Sequence, residues 1–332
     1  MKSFLARVMR GERLSESEAS AAMGVIMDGE ATPAQIGALL AALAVRGESE
    51  DEVVGFARTM RERAPAVRSA GAIDTCGTGG DGASTFNIST VASFVVAGAG
   101  VPVAKHGNRS ASGNCGSADL LEALGLRIDA PLPSVQRSLD EVGWTFLFAP
   151  AFHASTRHAV GPRRELGVRT CFNLLGPLTN PARPEAQLVG VPRPELAPFM
   201  ARCLARLGVR RAWVVHGAGL DELSLTGPTT VAALANGEVE TFAVEPEQGG
   251  LRRCAADALQ GAGVEACARI ARSVLDGQPG PCRDVVILNA AASLVVAGRA
   301  SGLGEGATLA ASVLDQGRAR GVLERAREVL AG

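Results

Sequence analysis

Residues 74–90 read DTCGTGGDGASTFNIST, with four glycines in the six positions 77–82 and a carboxylate, Asp81, set among them. A short apolar stretch at 72–75 precedes this loop, a helical pattern at 89–99 follows it, and a second apolar stretch stands at 101–105. Strand, tight glycine turn, helix and strand make a βαβ unit. The crossover forces its two strands to run parallel, and parallel strands need cover on both faces of the sheet. A layered α/β fold is therefore the frame into which the rest of the chain must fit.

The remaining pattern agrees. Strands are expected at 145–148, 187–191, 211–215, 230–234 and 239–243, with helices near 194–207, 262–275, 282–297 and 303–330. The first 65 residues carry apolar positions at helical spacing, such as Leu39, Leu40 and Leu43, and no alternating β-branched run. Thr32-Pro33 marks one helix start, and Ser49 caps the next after a break at Gly47. Residues 152–175 again read as helical and basic (Arg157, Arg163, Arg164, Arg169), a segment positioned to cross back to the N-terminal helices.

Composition excludes several classes. With 47% hydrophobic residues, 20% charged residues and a formal charge of −1, the chain has no bulk attraction for nucleic acid or a membrane, so any anion site must be local. No signal-like start and no run of about 18 apolar residues occurs, which makes the cytoplasm the expected location. Seven widely spaced cysteines without a CxxC pattern read as free thiols, with no zinc site.

Gly77-x-Gly79-x-x-Gly82 matches the dinucleotide-binding spacing, but that site needs an acidic residue about 20 positions on. None occurs between Asp81 and Asp119. A P-loop fails for want of Gly-Lys-Ser/Thr. The second strand leads instead into KHGNRSASGNCGSAD (105–119), which brings Lys105, His106, Arg109 and small hydrogen-bonding residues beside the first loop. Turns alone do not need Lys105, Asn108 and Ser117. Asp81 fits among phosphate oxygens if a sugar hydroxyl donates to it or a divalent cation lies between the anions. Asp221-Glu222, in VVHGAGLDELSL after a strand, supply hard oxygens for magnesium (Mg2+). The implied ligand is a metal-bound phosphorylated sugar.

GTGGDGASTFNIST, KHGNR, GSADLLEALG, RRELGVRTCFNLLGPLTNP and VVHGAGLDEL, in this order, resemble the anthranilate phosphoribosyltransferase family, over nearly the whole chain. The resemblance implies a nucleoside phosphorylase/phosphoribosyltransferase-like fold. Its small helical domain would be 1–68 with about 152–180, and its larger α/β domain, with a central, mainly parallel sheet, 69–151 and 181–332. It also implies a homodimer formed through the helices, and the substrates anthranilate and phosphoribosyl pyrophosphate. By motif position, Gly77, Gly80, Asp81, Thr85, Asn87, Ser89, Thr90, Lys105, His106, Gly107, Asn108, Ser112, Gly113 and Ser117 would surround phosphoribosyl pyrophosphate. Ser89, Asp221 and Glu222 would hold magnesium, and Gly77, Asn108 and Arg163 would meet anthranilate. The chain departs from the family pattern at Gly113, where a second serine is usual and only backbone can serve, and at HASTRH (153–158).

Arg163, Lys105 and His106 are the candidates for catalytic contacts. A guanidinium pairs with a carboxylate in a planar two-point contact. Lys105 faces the leaving pyrophosphate, and His106 either contacts a substrate or is an ordinary hydrogen-bonded loop histidine. His153 and His158 could form a helix pair near the aromatic site, though a structural role weighs more, and Cys76 and Cys115 are expected to serve packing. A pyrimidine nucleoside phosphorylase or a nucleic-acid-binding relative on the same fold are the alternatives. The first would be expected to carry a loop closer to GTGGVGD and no HGNR; the second favours a basic surface and eroded loops.

Overall fold

The computed structural model describes residues 1–110 and 115–332. Four helices open the chain: α1 (Lys2–Met9), α2 (Glu16–Met27), α3 (Pro33–Arg46) and α4 (Glu50–Arg63). Ser15, Thr32 and Ser49 each cap a helix start in a reciprocal capping box, with Glu18, Gln35 and Glu52 as partners. The α/β part follows as β1 (Ile73–Gly77), α5 (Ile88–Gly98), β2 (Val103–Gly107), α6 (Ser117–Ala123), α7 (Leu132–Val142) and β3 (Trp144–Phe148). The middle segment supplies α8 (Ala149–Phe152), α9 (Arg157–Leu166) and α10 (Phe172–Leu178). Next come β4 (Ala186–Gly190), α11 (Leu196–Arg206), β5 (Arg211–Gly217), β6 (Thr229–Ala235) and β7 (Glu238–Val244). The chain closes with α12 (Gly263–Leu275), α13 (Pro281–Val296), α14 (Leu303–Asp315) and α15 (Arg318–Ala331).

The strands form one sheet in the order β3-β2-β1-β4-β5-β6-β7. The first five are parallel; β6 and β7 add as antiparallel hairpin strands. All seven expected strands are present. The helix expected over 303–330 is two helices, because Gly317 adopts φ 66° and interrupts the backbone there.

Side chains alternate across the sheet, and β4, β5 and β6 each feed two cores. Leu188, Val215 and Val231 face one, built with α5, α12, α13, α14 and α15. Val189, Val214 and Ala232 face the other, shared by α11 and the N-terminal helices. Helix α5 is enclosed almost completely. The buried hydroxyl of Ser93 accepts from the Trp144 indole at 2.9 Å and donates to Thr90 O at 2.6 Å, while Phe94 stacks on Trp144 with centroids 4.6 Å apart. Helix α9 packs on α2 and α3, and α10 packs on α4 and on the β1–β2 pair. The middle segment thus lies between the N-terminal helices and the sheet.

Candidate active site

The parallel strands end on one edge, and the loops after β1, β2 and β5 meet there. Gly77 and Gly190 are paired in register on neighbouring β1 and β4. A Cβ on Gly77 would stand 2.5 Å from Asp221 Oδ2, and one on Gly190 would collide with Asp221 O. Two hydrogen side chains therefore admit the β5 loop across β4 to the first glycine loop. There Gly79 N–H donates to Asp221 Oδ2 at 2.8 Å, and Asp221 N–H donates to Asp81 Oδ2 at 3.3 Å. Asp81 Oδ1 also accepts from Ala83 N–H at 3.1 Å, closing its own turn. Thr85 bridges Gln260, which anchors the loop's far end.

Glu222 reaches the start of α5, where its Oε1 accepts from Ser89 N–H at 3.1 Å, a favourable place for a carboxylate. Lys105 projects from β2 to the same point, donating to Thr75 O and, at 3.4 Å, to Ser89 Oγ. Thr90 is buried beneath, its N–H donating to Asn87 O. Burial, followed by the proximity of Asp81, raises the Asp221 carboxyl to about 7. Burial and then Asp221 raise Glu222 to about 8, against the pull of Lys105. Burial lowers the Lys105 ammonium, resisted first by Asp74. Two carboxylates crowded in this way favour an arriving cation.

The second loop is joined to the first. Asn87 Nδ2 donates to Cys115 O at 2.9 Å, and Asn108 O accepts from Ser117 Oγ and Ala118 N–H, both at 3.2 Å. Gly107 lies so close to Ser117 that a Cβ would collide with its Oγ. Ser112 and Gly113 lie outside the described residues. Arg109 does not face the crevice as a free cation: its guanidinium pairs with Asp119 and Glu122 of α6. Among the described residues, Thr78 Oγ1, Asn87 Oδ1 and His106 Nε2 are buried without a hydrogen-bond partner.

His106 is buried, with Nδ1 3.0 Å from Gly176 O and its ring edge-on to His153, centroids 5.3 Å apart. Burial, then His153, pushes His106 down to about 3, so both rings are neutral at pH 7. Of the two readings weighed for His153 and His158, the pair is not seen among the described residues. His158 lies over the turn at Gly29 instead, because His153 is drawn inward by Thr179 O at 3.0 Å. Arg163, on α9, stacks its guanidinium over Phe172 at 4.8 Å and makes no ion pair among the described residues. Burial lowers its pKa. No hydrogen bond joins Arg163 to Gly77 or Asn108 among the described residues.

Three residues enter the site that the motif reading left out. Asp74 is fully buried, accepting from His106 N–H at 3.2 Å and from Asn180 Nδ2 at 2.8 Å. Asn180 also donates to Ala104 O at 2.8 Å, tying β1, β2 and the middle segment together. Arg169 follows the end of α9 and donates to Gly79 O at 2.8 Å. A Cβ on Gly80 would displace the Arg169 guanidinium, and its φ of 80° favours glycine there. Polar residues inside the apolar β1 stretch and before Pro181 are the signals that could have found the first two; Arg169 looked like its exposed basic neighbours.

An edge of parallel strands, amide-lined glycine turns, and carboxylates alternating with cations define a site for a phosphorylated ligand, in an enzyme of the group-transferring α/β class. Residues 69–320 match the glycosyl transferase family α/β domain and residues 2–64 its helical bundle domain, and the chain belongs to that family. Within it the chain falls among the anthranilate phosphoribosyltransferases. It is 55% identical to the one from Moorella thermoacetica (98% of this chain, 96% of the other) and 54% identical to that from Symbiobacterium thermophilum (99% and 97%). The crystal structure of the Thermus thermophilus enzyme superposes with a TM-score of 0.95 at 46% identity, covering 99% of both chains. The Saccharomyces cerevisiae enzyme in complex with phosphoribosyl pyrophosphate and magnesium gives 0.91 at 28% identity, covering 99% and 97%. The activity is transfer of a phosphoribosyl group to the amine of anthranilate, in tryptophan biosynthesis; the phosphorylase and nucleic-acid alternatives are not favoured.

Proposed function

We propose that the crevice between the loops after β1, β2 and β5 carries out this transfer, with its residues divided between the two substrates and the metal. The observation that carries it is the convergence of Asp81, Asp221, Glu222, Ser89 and Lys105 on the amide-lined turn at Gly79. Phosphoribosyl pyrophosphate would lie along the two glycine loops, contacted by Gly77, Gly80, Asp81, Thr85, Asn87, Ser89, Thr90, Lys105, His106, Gly107, Asn108, Ser112, Gly113 and Ser117. Arg169 adds a second cation at the glycine loop.

Among the described residues no three His, Cys, Asp or Glu side chains gather as a metal group. Magnesium does not need three, since it binds through one or two carboxylates with substrate phosphate and water, and Ser89, Asp221 and Glu222 fit that donor set. When bound, it would neutralise charge on the departing pyrophosphate. The chain's own part is to orient and to stabilise. Glycine-loop N–H groups and Lys105 face the charge that grows on the leaving group. Asp81 receives ribose hydroxyls. Anthranilate's amine is already neutral at pH 7 and needs no strong base, in keeping with a neutral His106. Arg163, Gly77 and Asn108 would seat anthranilate, the guanidinium pairing with its carboxylate.

The small helical domain is assigned to 1–68 with about 152–180, and the α/β domain to 69–151 and 181–332. Exposed Met9, Val45, Val160 and Val168 all lie on the helical portions and support a homodimer formed through them. No helix among the described residues is long and apolar enough to cross a membrane. We propose the cytoplasm as the place where the enzyme works.

The deciding assay mixes protein, magnesium, phosphoribosyl pyrophosphate and anthranilate, and follows loss of anthranilate fluorescence. Thymidine with phosphate is the control, and turnover of thymidine alone would refute the reading. Arg163→Ala is expected to raise the KM for anthranilate about 30-fold and that for phosphoribosyl pyrophosphate under about threefold. Equal effects on both would remove Arg163 from the anthranilate side.

A further inference from the structure

We propose that Asp74 and Asn180 are positioning residues of the transfer reaction, which with Lys105 replace a missing rung between β1 and β2 and so set the two substrate loops those strands carry. Among the described residues β1 pairs with β4, and β2 with β3, along five residues each, whereas β1 and β2 pair only at Ile73 and Val103. In a parallel ladder the next rung would run from Thr75 N–H to Ala104 O and from His106 N–H to Thr75 O. Side chains hold Ala104 O, His106 N–H and Thr75 O instead. Asn180 Nδ2 donates to Ala104 O at 2.8 Å, Asp74 Oδ1 accepts from His106 N–H at 3.2 Å, and Lys105 Nζ donates to Thr75 O. Asn180 completes the set: its Nδ2 also donates to Asp74 Oδ2 at 2.8 Å, and its Oδ1 accepts from Ala182 N–H at 2.8 Å.

The stretch held in this way runs to the strand ends at Gly77 and Gly107, where the two loops of the proposed site begin. Alternation along β2 sends Lys105 to one face, toward Ser89 Oγ, and His106 to the other, toward Gly176 O. The N–H that Asp74 accepts belongs to the peptide between these two residues. One carboxylate therefore fixes the backbone from which both side chains project. Asp74 also supplies charge, standing first among the groups that keep Lys105 protonated against its burial. A plain ladder would satisfy the same backbone groups without enclosing a carboxylate, and both Asp74 and Asn180 are completely buried. The fold alone does not call for the pair; a spacing between the loops does.

This role rests on the site proposed above, so Asp221→Asn is assayed alongside. An unchanged kcat in Asp221→Asn would refute that site and this role with it; a fall there with none in Asp74→Asn refutes the positioning role alone. Asp74→Asn keeps the side-chain shape, but its amide turns a donor toward either His106 N–H or Asn180 Nδ2. Its kcat is expected to fall about 30-fold while the KM for anthranilate stays within about twofold. The reciprocal double variant Asp74→Asn/Asn180→Asp returns a carboxylate to the couple: the amide at 74 accepts from His106 N–H and donates to the carboxylate at 180. It should regain about tenfold of the lost kcat, which a general loss of stability would not allow. Asn180→Ala leaves the Asp74–His106 bond in place and should cost about tenfold in kcat, and it decides the matter if Asp74→Asn does not fold in urea melts. An unchanged kcat in a folded single variant, or a double variant no better than Asp74→Asn, overturns the proposal.

Discussion

Glu52 of the N-terminal helices and the carboxylates of the crevice are all buried, and their surroundings treat them in opposite ways. In the helical part Glu52 is fully buried, yet its oxygens accept from Leu14 N–H at 2.9 Å, Ser49 N–H at 2.9 Å, Ser49 Oγ at 3.0 Å and Arg46 Nη2. Burial raises this carboxyl, but the Arg46 bond and the N–H donors outweigh it, and the net shift is downward. In the crevice Asp221 and Glu222 are raised despite their hydrogen bonds, and Thr78, Asn87 and His106 each keep a buried atom without a partner among the described residues. Charge that is fully satisfied serves the fold. Charge left in excess is held for something that arrives.

Substitution should separate the two with opposite signs. Asp221→Asn keeps an oxygen for Gly79 N–H but removes the charge, and is expected to lower kcat/KM for phosphoribosyl pyrophosphate about 1000-fold. At pH 8 without magnesium, its Tm should rise, because repulsion with Asp81 and Glu222 is relieved. A falling Tm would make Asp221 a structural carboxylate. Glu52→Ala should do the reverse: stability drops by about 3 kcal/mol, since Arg46 loses its buried partner, while kcat in the surviving folded protein holds. Urea melts and steady-state kinetics on the two variants test the contrast directly.

How far this contrast could be read in advance depends on the distance over which each residue acts. The seven strands were legible as short apolar runs, and two helix starts by the caps at Thr32 and Ser49, because both are local signals. The loops were legible because their glycines, Asp81 and Lys105 stand in short motifs. Helices α6 and α7 went unread, α6 for lack of length, and the Gly317 break was hidden by apolar periodicity on both sides. Asp74, Asn180 and Arg169 were missed for a different reason: their partners are remote in sequence, as with Arg169 and Gly79 at 90 positions. Arg109 misled although its partners stand only 10 and 13 positions on, because the turn of the chain that brings α6 back onto it has no local signal.

Arg169 probes the boundary between the two regions, because it belongs to the middle segment and ends on the glycine loop. Burial lowers its pKa first, and Asp221 and Asp81 oppose that shift. Arg169→Ala should lower kcat/KM for phosphoribosyl pyrophosphate about tenfold, with little change in the anthranilate KM. A change confined to anthranilate would move Arg169 to the other side of the site. Gly80→Ala should be worse than Arg169→Ala, since it adds strain at positive φ to the displacement of the guanidinium.

The smallest effect is a matter of pH, and it follows from the histidines. Burial pushes His153 down to about 4, partly opposed by Thr179 O, and His106 sits lower still. Their folded values lie below the unfolded value of about 6.5, so the unfolded chain takes up protons first as pH falls. The stability they support is complete above pH 6.5 and is lost on the way down toward 4. Glu52, also depressed, begins to give way only near and below its ordinary range, about 4.5. Between pH 7.5 and 5.5 His153 therefore costs about 1 kcal/mol of stability, while Asp221 and Glu222, raised to about 7 and about 8, take up protons in the folded state over the same interval and act in the opposite direction. In His153→Gln, whose amide can still donate to Thr179 O, the change in unfolding free energy from pH 7.5 to 5.5, read by urea melts, should be more favourable than in the parent chain by that amount. If the two chains change equally, the buried histidine does not titrate with folding over this interval.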